Sequence, residues 1–152
     1  MGSQVLDRGT AEALDRLAAA VDALLVAGVE PVDAPDASVV VREVEVQARR
    51  LASVQVELVS AIDHRGLHRV DGHASAKVLV RHVARLSNTE AARRAGAARA
   101  MRDLPAVREA FAAGRVGCGQ VERIARAHAN VRVRERLCAQ DDALARLAAM
   151  SS

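Results

Sequence analysis

Aromatic side chains are almost missing from this 152-residue chain: Phe111 stands alone, with no Trp and no Tyr. A core built without rings has to be assembled from Ala, Val and Leu, with small residues letting helices approach closely. The same scarcity removes any base-stacking platform, which excludes RNA-recognition sheets and aromatic single-strand grooves. Lysine is equally scarce. Lys77 is the only one among 22 basic residues. A GC-rich coding sequence produces that bias by codon content alone, while the planar guanidinium fork also suits phosphate better than a point ammonium does.

Cysteine is too sparse for a framework. Cys118 and Cys138 lie twenty positions apart without a CxxC partner, so neither a disulfide scaffold nor a zinc ribbon is encoded, and two small buried hydrophobes in a reducing compartment are expected. Long apolar runs are lacking too. The most hydrophobic early stretch, Leu17 to Val29, is broken by Asp22, is too short to span a bilayer, and has no signal-peptide features. A cytoplasmic protein without membrane contact is expected. No GxSxG elbow, phosphate-cradling glycine loop or HExxH occurs, so no catalytic residue, cofactor or small-molecule substrate is expected.

What is present is helical periodicity. Apolar spacing near 3.6 recurs throughout and no stretch sustains a period of two, which predicts an all-α fold of about seven helices with short loops. At this length one domain, residues 1–152, is expected. Residues 1–9 are expected to be disordered. The first helix is predicted to start at the N-cap Thr10, to carry Leu14, Leu17, Val21, Leu24 and Leu25 on one face, and to stop at Gly28. Glu30 to Asp36, with Pro31 and Pro35, reads as a linker. A long second helix follows from about Ser38 to Arg65, with Val44, Leu51, Val54, Leu58 and Ile62 in a near-heptad seam. Such a seam more often packs on the chain's own core; the alternative is a homodimer through this helix.

Beyond Gly72, Ser75 is a cap for a short helix bearing Leu79, Val83 and Leu86, with His82 on the same apolar face. Ser87-Asn88-Thr89-Glu90 is a capping box opening a helix to about Asp103, lined by Ala91, Ala95 and Ala98. Pro105 suits the first turn of a fifth helix that Gly114 closes, a sixth opens among Gly117, Cys118 and Gly119, and a last one runs from Asn130 with Val133, Leu137, Leu144 and Leu147. Two segments, Ser75–Asp103 and Pro105–Asn130, are candidate helix-turn-helix units. In the second, Gln120 stands where that motif wants an apolar residue.

His64, His68, His73 and His82 cluster in sequence, but Gly66 interrupts the spacing of the first two, and no metal site is expected. Cys118 sits at a helix N-terminus, where the flanking glycines are better explained as a tight turn than as support for a thiolate.

Charge is unevenly placed. Residues 1–64 hold 5 Arg against 11 acidic residues, net −6, whereas residues 65–136 hold 16 basic against 6 acidic, net +10. The chain thus reads as two acidic helices over 10–65, a basic helical core over 66–136, and the end of the last helix over 137–152. Arg81, Arg85, Arg93, Arg94, Arg99, Arg102, Arg115, Arg123 and Arg126 fall mostly off the apolar stripes and are expected to face solvent. Such a face is an electrostatic footprint for duplex DNA, because neutralised phosphates release condensed counterions. The competing reading is internal balance against Asp15, Asp22, Glu43 and Glu57, which leaves an interaction protein without direct DNA contact.

Three runs carry a family resemblance: Asp71-Gly72-His73-Ala74-Ser75-Ala76-Lys77, Val80-Arg81-His82-Val83-Ala84-Arg85-Leu86-Ser87 and Glu90-Ala91-Ala92-Arg93-Arg94. With Leu104-Pro105, Ala110-Phe111, Ala113-Gly114, Gln120-Val121 and Ala127 to Arg132, they resemble the helical domain of the 13E12-repeat proteins, domain of unknown function family 222, over about Leu51 to Arg136. Members are typical of GC-rich Gram-positive bacteria and commonly carry an HNH nuclease domain after this region. The resemblance implies a DNA-associated module. Many members have Trp where Leu79 stands, and no HNH motif or zinc-ribbon cysteines occur here, so it does not bring nuclease activity to these residues.

Overall fold

A computed structural model describes residues 6–151. Among them the chain is helical, without strands: α1 (Arg8–Ala27), α2 (Ala34–Arg65), α3 (Leu67–Val70), α4 (Ala76–Val83), α5 (Asn88–Asp103), α6 (Pro105–Ala112), α7 (Cys118–Ala129), α8 (Val131–Ala139) and α9 (Asp141–Met150). The all-α expectation holds, with nine helices among the described residues in place of about seven. The single-turn α3, following Gly66 at φ 63°, is one addition; the other is a break at Gln140, which divides the expected last helix into α8 and α9. The chain forms two compact units, Met1–Arg42 and Glu43–Ser152, and the division falls inside α2.

In the first unit, α1 begins earlier than Thr10. Asp7 is the cap, its carboxylate accepting from the Thr10 amide at 3.2 Å, so Arg8 and Gly9 are helical and not disordered; residues 1–5 of that expected tail lie outside the described residues. Gly28 ends the helix in the left-handed region, as expected. The face bearing Leu14, Leu17, Val21, Leu24 and Leu25 stays exposed. The start of α2 also precedes the expected Ser38. Asp33 accepts from the Asp36 amide at 2.8 Å while Asp36 accepts from the Val32 amide at 3.0 Å, a reciprocal cap built from two aspartates. Pro35, read as a linker residue, sits in the first turn, where its missing N–H leaves nothing unpaired.

The second unit is organised around α5. Its alanines do what small residues predict: Ala91, Ala95 and Ala98 are buried, joined by Ala97, Ala100 and Met101, so the helix is covered on more than one side. It lies against α4, α6 and α7, while α7 continues against α8 and α6 packs on α9. Phe111, Leu104, Val107 and Val116 fill the centre. Ser75 and Ser87 cap α4 and α5 as expected, accepting from the Val78 and Glu90 amides at 3.2 and 3.1 Å. The Glu90 half of the capping box turns outward to Arg94 at 3.2 Å.

Two expectations about faces fail. Within the second unit α2 buries Ser53, Val56 and Val59, and of the near-heptad seam only Ile62 packs on the core; Val44, Leu51, Val54 and Leu58 remain 40–56% exposed. The inward face is instead the one carrying Val46, Ser53, Val56 and Val59: Gly114, at φ 76°, lies so near α2 that a Cβ there would sit 2.8 Å from both Cγ1 and the carbonyl oxygen of Val46. His82, placed by sequence on an apolar face with Val83, is exposed like Val83, because the short α4 buries Ala76 and only partly covers Leu79 and Val80.

Candidate nucleic-acid interface

Eight of the nine expected arginines are exposed; Arg94 is the partly buried one. Their partners separate them into groups. Arg93 reaches Glu122 at 3.4 Å and Glu90 at 3.9 Å, Arg94 reaches Glu90 at 3.2 Å, and Arg126 also pairs with Glu122. Arg102 pairs with Asp63 of α2 at 3.4 Å. Arg81 donates to the Asn88 side chain at 2.5 Å. Arg85, Arg99, Arg115 and Arg123 have no acidic partner among the described residues, and neither does Lys77. Internal balance is therefore partial, and much of it arises inside the basic block. Of the acidic side chains expected to offset that block, Glu57 takes Arg108 in a two-pronged contact at 2.6 and 2.7 Å.

Three adjoining depressions organise this surface. An open groove between α5 and α7 has a floor of small residues, Ala92, Gly96, Ala125 and Ala129, with Lys77, Arg93 and Arg126 around it. Lys77 also borders a second depression toward α2, which Arg99 and Arg102 flank. Those two arginines border a third, together with Asp103, His128 and Arg134. The structure thus brings Arg93, Arg99, Arg102 and Arg126 together, while Arg81, Arg85, Arg94, Arg115 and Arg123 line none of the three. Sequence reading missed Lys77 and Arg134 as members. Arg134 is held by the exposed end of α7, its Nε donating to the carbonyl of His128 at 2.8 Å, and no local spacing announces that. Each depression is bordered by three cations and one acidic residue, Glu122 in the first, Asp63 in the second and Asp103 in the third, and the small-residue floor of the first leaves room for a phosphate backbone to approach.

The histidines expected to bind no metal are dispersed. His64 is exposed, His68 is buried in α3, and the rings of His73 and His82 lie 5.6 Å apart. The Nδ1 atoms of His68 and His73 are buried without a hydrogen-bond partner. Cys118 does open α7 as a free thiol, but partial desolvation, reinforced by Glu45, raises its pKa above the ordinary thiol value, away from a nucleophilic thiolate. No helix among the described residues is long and apolar enough to cross a membrane.

The model of a family described as "Domain of unknown function (DUF222)" matches residues 38–151. The chain belongs to that family. No curated protein and no solved structure matches it. The DUF222 match starts inside α2 and ends at Ser151, so it takes in α3 to α9 and all three depressions, and leaves α1 outside. It is also longer than the Leu51 to Arg136 run on which the resemblance was legible, because α9, which packs on α6, is part of the DUF222 region.

Proposed function

We propose that the DUF222 region is a non-catalytic helical module that holds duplex DNA by its phosphates, acting in the cytoplasm beside a nuclease of the HNH type, as the resemblance to the 13E12-repeat proteins implies. The observation that supports this reading most is the gathering of Lys77, Arg93, Arg99, Arg102, Arg126 and Arg134 around three adjoining depressions, with Lys77 and Arg99 lacking acidic partners among the described residues. Contacts of this kind position a protein on DNA and read no base. The test is duplex binding measured across a salt series: log K falls linearly with log salt, with roughly 0.9 in slope for each phosphate neutralised. Binding that ignores salt, or no binding at low salt, ends the proposal.

A second reading rests on α2. Val44, Leu51, Val54 and Leu58 are left 40–56% exposed at heptad spacing, which favours a protein partner or a second copy of this chain on that helix. Sedimentation equilibrium of the full chain and of Leu51→Glu/Leu58→Glu decides it. A monomer in both, at concentrations well above micromolar, removes the dimer.

A further inference from the structure

Asp103 ends α5, His128 lies in the last turn of α7, and Cys138 lies near the end of α8. One donor atom from each, a carboxylate oxygen, an imidazole nitrogen and a sulfur, falls within 4.8 Å of the others, and among the described residues no other group of three such donors converges. The His128 side chain is 6% exposed and its Nε2 stands 2.7 Å from Asp103 Oδ2. That carboxylate is free of guanidinium although three arginines border the same depression: Arg102 turns to Asp63, Arg134 donates to the carbonyls of His128 and Ala129, and Arg99 has no acidic partner among the described residues. An ordinary surface aspartate in such company is drawn into an Arg pair; this one faces a buried imidazole and a thiol.

We propose that Asp103, His128 and Cys138 form a binding site for a divalent zinc-like cation, with a fourth coordination position open to the depression. The donor set is the argument. A thiolate and an imidazole together favour borderline-soft ions and disfavour magnesium and calcium, which take oxygen ligands. Around a tetrahedral ion with bonds of about 2.0–2.3 Å, donors stand roughly 3.3–3.8 Å apart, a spacing that lies between the observed 2.7 Å contact and the 4.8 Å outer limit of the cluster. Loading requires the Cys138 thiol to release its proton to solvent and the imidazole to keep its proton on Nδ1, so that Sγ and Nε2 both present lone pairs. The helices carrying the three ligands are neighbours in one packed series, α5 on α7 and α7 on α8, so the ion would tie the end of α8 to the helix that bears most of the basic surface.

Cobalt(II) added to the full chain tests this. One equivalent gives a sulfur-to-cobalt charge-transfer band in the near ultraviolet together with intense visible bands of four-coordinate cobalt, and zinc bleaches both. Cys118→Ala keeps the spectrum, Cys138→Ser loses the charge-transfer band while circular dichroism stays helical, and Asp103→Asn weakens cobalt binding at least about tenfold. If His128→Gln fails to fold, the two cysteine variants still decide. No charge-transfer band in the parent chain, a band that survives Cys138→Ser, or one that disappears with Cys118→Ala overturns the site.

Discussion

Asp141 at the start of α9 caps α6 from 35 residues away, its Oδ2 accepting from the Ala106 amide at 2.7 Å and its Oδ1 from Val107 at 3.1 Å. The need is local and its answer is tertiary. Leu104 occupies the N-cap position of α6 and has no side-chain acceptor, so the first free amides of that helix would otherwise be left to solvent. Asp141→Ala is expected to lose about 1–2 kcal/mol in urea unfolding with the slope unchanged, and Asp141→Asn to lose less. A midpoint equal to the parent's for Asp141→Ala shows that water replaces the carboxylate at no cost.

Gly114 joins two demands in one residue, a left-handed backbone at φ 76° and contact with Val46 in α2. Gly114→Ala is expected to cost about 3 kcal/mol or more, from strain and overpacking together. Combining it with Val46→Ala recovers little, since the Val46 carbonyl oxygen is as near as the methyl, 2.8 Å in each case. Full rescue by the second change would place the whole effect on the side chain.

These two residues show where the sequence was legible. Gly114 ended a helix in the sequence and does so in the structure, because a left-handed C-terminus is local chemistry. Asp141 was invisible as a cap, as its partners are far along the chain. The same divide separates Ser75 and Ser87, read correctly as caps, from the break at Gln140, which no Pro or Gly announces. In the candidate interface, exposure of the arginines followed from their position off the apolar stripes. Which of them border the depressions depends on how α5, α7 and α4 pack, so Lys77 and Arg134 went unnamed, while Arg81, Arg85, Arg94, Arg115 and Arg123 lie outside the depressions. The seam on α2 could not be placed for a related reason: periodicity finds an apolar stripe, and tertiary packing decides whether that stripe turns inward or, as for Val44, Leu51, Val54 and Leu58, stays exposed.

Arg85 holds φ 54° just past α4, where the Leu86 amide donates back to the Arg81 carbonyl at 3.0 Å. A side chain in that region costs about 1 kcal/mol relative to glycine. Arg85→Gly is therefore expected to raise the melting temperature by a few degrees, and because Arg85 lines none of the three depressions, to leave DNA affinity nearly unchanged. A lower melting temperature would mean that the Arg85 side chain stabilises the turn by more than its backbone strain costs.

Cys118 offers a pH readout. Its thiol pKa is raised chiefly by desolvation and then by Glu45, so the reactive thiolate is scarcer than in an ordinary cysteine at the same pH. Alkylation followed site by site by mass spectrometry should give a rate for Cys118 that climbs at higher pH than that of an unfolded control peptide. The sign extends to stability: the unfolded thiol ionises first, so this group destabilises the fold as pH rises above the ordinary thiol value and contributes nothing below it. Glu45→Gln should move the alkylation profile toward lower pH, and a profile that does not move leaves desolvation, with the smaller contribution of Glu90, as the source of the shift.

The sharpest prediction separates a DNA interface from a diffuse positive charge. Lys77→Gln/Arg99→Gln/Arg126→Gln removes three charges from the borders of the depressions, and Arg85→Gln/Arg115→Gln/Arg123→Gln removes the same charge from outside them. All six side chains are exposed, so neither set should disturb helicity, each exposed substitution usually changing stability by no more than about 0.5 kcal/mol. If phosphates lie along the depressions, the first set lowers duplex affinity at every salt concentration and flattens the salt slope by roughly 1 for each phosphate no longer neutralised, while the second set leaves the slope close to the parent's. Arg126 contributes less than Lys77 and Arg99 to that loss, because it is already paired with Glu122 and must leave that carboxylate to meet a phosphate. Equal effects from the two sets would show that net charge, and not the arrangement of α4, α5 and α7, attracts DNA. No effect from either would end the DNA reading and leave the exposed face of α2 as the surface that the second reading puts to use.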